Sequence, residues 1–228
     1  MRDGEGTGAP TLASAVHERL REDILAGRLM PGTKLRVEFV SERYEAGASP
    51  VREALNRLSA EGLVERRDQR GFYVAAASVA DLRELVKTRC WVEGLALRES
   101  MAHRTMAWEE AVLLAHHRLS RTPRSSDPNG YRSNPDWEAL HRAYHESLIA
   151  NCGSRHLIRF CADLAGQMDR YRQLAAETIY AERNAGTEHK ALLDAVIDGD
   201  AERAVGLLTG HYQRTLRIIE GTDLFAAE

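Results

Sequence analysis

From Val79 onward the apolar residues recur at intervals of three and four, which leaves few architectures open to most of the chain. A 3.6-residue period places such residues on one stripe of an α-helix, and a stripe is buried by packing on other elements. Leu157, Cys161, Leu164, Met168 and Tyr171 form one such stripe. The spacing predicts six helices, at about 79–104, 107–121, 135–150, 155–178, 180–199 and 200–220, in an antiparallel bundle. The stretch Thr122 to Ser133, rich in Pro, Ser, Asn and Gly, is expected to be a loop.

Residues 11–77 follow another pattern. Val16, Leu20, Ile24 and Leu25 predict a helix from about Thr11 to Ala26, stopped by Gly27. Pro31-Gly32 is a turn signal that aims the chain at Leu35. A short helix from Val37 to Tyr44, a tight turn at Glu45-Ala46-Gly47, and a third helix from about Ser49 to Glu61 follow. Its N-cap is either Ser49, with Pro50 at the first helical position, or Gly47. The β-prone runs Leu63–Arg66 and Gly71–Val74 flank polar residues 67–70 and predict a hairpin. The expected fold class is therefore mostly α. A winged helix-turn-helix of three helices plus a β-hairpin wing, residues 11–77, precedes an all-helical antiparallel bundle, residues 78–228. Residues 1–10 are small, polar and glycine-rich and are expected to be a disordered tail without a secretory signal.

In a winged helix-turn-helix the third helix enters the DNA major groove. Here composition gives no help, because the formal net charge is -3 and residues 1–78 hold 12 Lys/Arg against 12 Asp/Glu. Affinity for duplex DNA must then come from a few well-placed arginines, since phosphate neutralisation supplies most of it. No run of about 18 apolar residues occurs, so no membrane partner is expected. Cys90, Cys152 and Cys161 lack metal-site spacing and suit reduced thiols in a cytoplasmic protein.

Four histidines share a placement that periodicity reveals. His141 and His145 are one helical turn apart and border the stripe Trp137, Leu140, Tyr144, Leu148. His189 opens the stripe Leu192, Leu193, Val196, and His211 continues Ala204, Leu207, Leu208. Three helices thus aim imidazole at the bundle core, where neutral imidazole is a ligand for divalent transition metals. An all-imidazole set favours Zn²⁺ or Ni²⁺ over Mn²⁺ or Mg²⁺. His116 lies near its own stripe and is a possible pocket residue, whereas His17, His103, His117 and His156 read as surface or structural.

Pro31-Gly32-Thr33-Lys34-Leu35, the run Pro50 to Val64 and Arg70-Gly71-Phe72-Tyr73-Val74 resemble the GntR superfamily of transcription regulators. Arg89-x-x-Val92-Glu93, Tyr144-His145, Glu188-His189 and His211 resemble its FadR-like branch with an FCD effector domain, and together the matches span about residues 12–215. The resemblance implies a cytoplasmic homodimer, usually a repressor, that binds a palindromic DNA operator and answers to a small metabolite. It implies DNA contacts by Arg36, Ser49, Arg52 and Gly71, with Arg70 beside a phosphate. It implies a divalent metal on His141, His145, His189 and His211, and an effector contact by Arg89. Two departures matter. Ala48 stands where the family commonly has arginine, and His141 where it commonly has aspartate, leaving open whether His141 ligates. A small organic acid on the metal, paired with Arg89, is the expected effector; an i,i+4 pair of Arg89 with Glu93 is the other role open to that arginine. A direct metal sensor and a metal-dependent enzyme are the competing functions. No carboxylate base stands among the four ligands, so an enzyme is not expected.

Overall fold

The computed structural model describes residues 11–222 and 224; the tail expected at residues 1–10 lies outside the described residues. The chain divides at Ala77/Ser78 into two compact units.

The first unit begins with α1 (Leu12–Leu25), whose N-cap Thr11 accepts a hydrogen bond from the Ser14 amide. Strand β1 (Lys34–Leu35), α2 (Val37–Tyr44), α3 (Ala48–Ala60), β2 (Val64–Arg67) and β3 (Gly71–Val74) follow. The α1 stripe Val16, Leu20, Ile24 meets Val51, Leu55 and Leu58 of α3, and all six are buried. The expected hairpin is β2–β3, but the sheet has a third strand: β1 pairs antiparallel with β3, giving the order β1-β3-β2. Gly47 caps α3, so Ser49 and Pro50 lie inside its first turn. Gly71 opens β3 at φ +92°, where L side chains are strained although space is free around it.

A buried carboxylate ties this unit together. Asp23 accepts from Arg28 Nε (2.6 Å), Arg43 Nη2 (2.7 Å) and the Tyr44 hydroxyl (2.7 Å). Burial alone would raise the Asp23 pKa, but the bonds from Tyr44, Arg43 and Arg28 outweigh it and hold the carboxyl below its ordinary value of 3.8. Its stabilisation is complete above that value and is lost as pH falls through the lower, folded-state pKa. Arg28 and Arg43 are largely exposed and screened. The Asp23→Ala variant is therefore expected to lose about 2 kcal/mol. Thermal denaturation followed by circular dichroism should place its first-unit transition about 10 °C below wild type near neutrality, with the gap closing in strong acid.

The second unit is helical throughout: α4 (Val79–Ala102), α5 (Met106–Arg121), α6 (Pro135–Ile149), α7 (Arg155–Leu174), α8 (Ala176–Glu182), α9 (Ala185–Ile197) and α10 (Ala201–Glu220). Side-chain oxygens of Ser78, Thr105, Asn134, Ser154, Asn184 and Asp200 cap six of the seven N-termini. Helix α4 packs on α10, α7 and α6, while α5 packs on α6 and α9. Gly94 permits the α4–α10 approach, since a Cβ there would meet Val205 Cγ1 at 3.3 Å. Among the described residues no helix is long and apolar enough to cross a membrane.

Among the described residues of this unit, seven helices stand where six were expected. The helix predicted at 155–178 ends at Leu174, and the one predicted at 180–199 is broken at Arg183-Asn184. Arg183 is extended (φ −145°, ψ 130°) and Asn184 caps α9, so the break turns the Arg183 side chain toward α9 and α10. The loop 122–134 is clasped: the Ser125 hydroxyl lies 2.9 Å from the Asp127 and Gly130 carbonyls and accepts from the Arg132 amide. Asn134 Nδ2 donates to the Pro123 carbonyl at 2.7 Å.

Candidate histidine centre and nucleic-acid interface

Helix α6 buries Trp137, His141, Tyr144, His145 and Leu148 on one face, as their spacing demands. His189 comes from the first turns of α9 and His211 from the middle of α10. The three helices bring these four imidazoles together. Ring centroids of His141 and His145 are 4.6 Å apart, those of His189 and His211 4.9 Å, and those of His145 and His211 5.0 Å. One nitrogen of each ring lies within 4.8 Å of one on every other.

The surroundings prepare these nitrogens to act as lone-pair donors. Tyr212 donates its hydroxyl proton to Glu93 and lies 3.2 Å from His145 Nδ1, from which it accepts. That leaves His145 Nε2 buried without a partner among the described residues, and His189 Nε2 is in the same condition. Orphaned polar atoms inside a protein cost free energy, and two in one cluster are what a missing ligand would satisfy. His211 Nδ1 lies 3.0 Å from Glu188 Oε2 and 2.7 Å from Arg183 Nη2; in the tautomer with its proton on Nδ1 it donates to Glu188 and leaves Nε2 free as the other donor atom. Arg183 holds Glu188 in turn and donates to the His211 carbonyl at 3.0 Å. Burial pushes the pKa of His141, His145 and His189 well below the ordinary value, and mutual repulsion adds to it. His211 is lowered to about 4, chiefly by burial. All four are therefore neutral at neutral pH, the form a metal requires. The donor set fits a borderline-soft divalent ion.

A cavity of about 40 Å³ opens beside His141, His145 and His211 and is walled by Arg89, Arg172 and Met168. Arg89 is buried; its Nε donates to Glu93 at 2.7 Å and its guanidinium lies 4.2 Å from the Tyr212 ring centre. The i,i+4 pair is thus formed, inside the bundle. Arg172 pairs with Glu138 and Asp169, each at 2.7 Å. Neither Arg172 nor the Arg183–Glu188 pair was assigned a role from the sequence. Position 172 continues the spacing 161, 165, 168 of α7, which is the signal that could have found it. His116 lines a separate cleft with His189. His17 is buried in the first unit against Glu61, at 2.5 Å. The three cysteines are free, and burial pushes the Cys161 thiol up to about 12.

In the first unit, burying Val51, Ala54, Leu55 and Leu58 turns Ser49, Arg52, Glu53 and Asn56 of α3 to solvent. Arg36, at the start of α2, and Arg70 and Gly71, at the wing turn, are exposed as well. Among the described residues Arg36, Arg52 and Arg70 make no side-chain hydrogen bond or ion pair, whereas Arg57 donates to Ser14 and Arg67 to Glu65. The start of α3 has no side-chain cap, so its first amides can meet a phosphate.

The profile of the bacterial regulatory proteins of the gntR family matches residues 12–74, and that of the FCD domain matches residues 84–214. The chain is 39% identical to the HTH-type transcriptional regulator BphR of Paraburkholderia xenovorans (strain LB400), over 92% of this chain and 85% of that one. It is 30% identical to the HTH-type transcriptional repressor GlaR of Escherichia coli (strain K12), over 88% and 92%. In fold it is similar to E. coli McbR/YncC, with a TM-score of 0.73 at 20% identity over 92% of this chain and 97% of that one. A putative GntR transcriptional regulator from Rhodococcus sp. RHA1 also gives 0.73, at 19% identity over 92% and 98%.

Proposed function

Since the chain belongs to the gntR family of bacterial regulatory proteins and carries an FCD domain, making it a DNA-binding transcription regulator and not an enzyme, we propose that it is a metal-loaded repressor released from its operator by a small carboxylate. The observation that carries this reading is the cavity of about 40 Å³ between the histidine cluster and Arg89. A space of that size holds roughly three waters, which limits the effector to a short organic acid. A divalent ion, Zn²⁺ or Ni²⁺ by donor softness, would be held by His141, His145, His189 and His211 and would supply a Lewis-acidic anchor for a carboxylate oxygen. Arg89 supplies the second anchor, a charge-assisted bond from its outer guanidinium nitrogens while Nε stays on Glu93.

Residues 11–77 act as the reader, with Arg36, Ser49, Arg52, Arg70 and Gly71 on the duplex, and residues 78–228 as the effector and dimerisation domain. Exposed Trp91 and Leu95, one turn apart on α4, support self-association of two copies through that face. Effector and operator are thermodynamically linked: a 100-fold loss of DNA affinity needs about 2.7 kcal/mol of differential effector binding.

The test is a titration of the protein–operator complex with acetate, lactate, glycolate and succinate, read by fluorescence anisotropy. At least one acid is expected to release DNA from metal-loaded protein and to lose that effect after chelation or in Arg89→Ala. Release by metal alone, indifferent to every acid, would point to the direct metal sensor. A full response in Arg89→Ala would remove Arg89 from the effector site.

A further inference from the structure

On another side of the histidine cluster lies a cleft of about 530 Å³, more than ten times the first cavity and sharing no lining residue with it. It runs past Arg124, Trp137, Tyr180 and Arg183 and reaches His189. Its volume falls within the range of small-molecule sites. The clasped loop 122–134 fixes Arg124, with Ser125 and Asn134 bonded across its two arms.

Arg124 is the anomaly. Its guanidinium lies 5.2 Å from the Trp137 ring centre and 5.6 Å from that of Tyr180. Its Nη1 donates to the Ile179 carbonyl at 3.5 Å, but among the described residues its buried Nε has no hydrogen-bond partner and no carboxylate makes an ion pair with it. Glu138 is taken by Arg172 and Glu188 by Arg183, and Glu182, an exposed residue on the cleft wall, makes no ion pair with Arg124. Burial and the charge of Arg172 both press against its protonated form. A half-buried guanidinium without a counter-anion is costly, and its planar fork matches a carboxylate in bidentate fashion. The rings of Trp137 and Tyr180 add flat apolar walls, and Tyr131 packs against Tyr180 with ring centres 5.2 Å apart.

We propose that this cleft is a second ligand site, taking a carboxylate with a flat, aromatic-sized body whose anionic end pairs with Arg124 and whose ring lies along Trp137 and Tyr180. The site depends on neither the metal nor Arg89, so it stands or falls apart from the effector reading above.

The probe is benzoate, with benzamide as the neutral analogue and cyclohexanecarboxylate as the non-planar one, on the full chain labelled with 5-fluorotryptophan. Of the three tryptophans only Trp137 lines the cleft. Benzoate is expected to shift the ¹⁹F resonance that disappears in Trp137→Phe, in metal-loaded and in chelated protein alike. Arg124→Leu should weaken that binding about tenfold or more, as should the change to benzamide, with Arg124→Lys intermediate and Tyr180→Ala a smaller loss. Arg124→Lys keeps the proposal testable if the leucine variant does not fold. Failure of millimolar benzoate to bind, equal binding of benzamide, or indifference to both Arg124 variants would overturn the site. Loss of benzoate binding on chelation alone would move the ligand to the histidine cavity and overturn it equally.

Discussion

Replacing Arg52 by alanine is expected to weaken binding to the operator by about 10- to 100-fold and to leave thermal unfolding unchanged. The two halves of that expectation have separate causes. Arg52 is exposed on the flank of α3, beside the buried stripe of Val51 and Leu55, and has no side-chain partner among the described residues, so its removal disturbs no core packing. One bidentate arginine–guanine pair is worth about 1–3 kcal/mol, which sets the size of the loss. The reader unit is balanced in charge, so each unpaired arginine carries an unusual share of the affinity. The operator is first obtained by selection from random duplexes, and two copies should select a palindrome with half-sites about one helical turn apart. Charging the exposed α4 face (Trp91→Glu with Leu95→Glu) should reduce the footprint to one half-site. Arg57→Ala is the internal comparison, because that side chain is already engaged by Ser14 and should matter less. Binding should fall steeply with salt, and Arg70→Ala should lower the slope of log K against log salt by about one. An unchanged footprint in Arg52→Ala would take α3 away as the recognition helix.

What could be read from residues alone follows from how each feature is encoded. The bundle was legible because helix burial repeats every three to four residues over long spans, as on α7. Strand β1 was not: Lys34-Leu35 is too short to show alternation, and it is fixed by backbone pairing to Tyr73 and Phe72. The break at Arg183-Asn184 was hidden by the apolar residues that continue on either side, although Asn184 is a capping residue. At the site, periodicity singled out the four histidines because burial of a face commits every residue on it. Glu188 entered only as part of the Glu188-His189 match and Arg183 drew no reading, and they matter because α9 and α10 bring Glu188 to His211, contacts no local pattern encodes. Arg124 sits in a loop, where no period exists from which to argue burial.

Removing the metal is expected to lower the thermal midpoint of the second unit by about 8 °C, with the loss reversed by adding Zn²⁺ or Ni²⁺. A ligand present at 100 times its Kd stabilises a fold by about 2.7 kcal/mol, and a unit of this size moves roughly 3 °C per kcal/mol. His189→Ala should abolish both the metal content found by elemental analysis and the midpoint shift, because it deletes a buried ligand whose Nε2 has no other partner among the described residues. Glu188→Gln should be milder, losing about 10- to 100-fold in metal affinity, since Glu188, which also pairs with Arg183 and Arg214, reaches the site through His211 Nδ1. His141→Asp tests the position at which this chain departs from the pattern it otherwise resembles. A carboxylate there should raise affinity for Mn²⁺ relative to Zn²⁺, because a harder, charged oxygen replaces a neutral nitrogen. Wild-type protein that takes up no metal even after supplementation would leave the four histidines as a structural cluster. In that case His189→Ala, which relieves a buried unpaired nitrogen, should change the midpoint equally with and without added ion. His189→Ala therefore separates a metal centre from a packed aromatic core by whether its effect requires the ion.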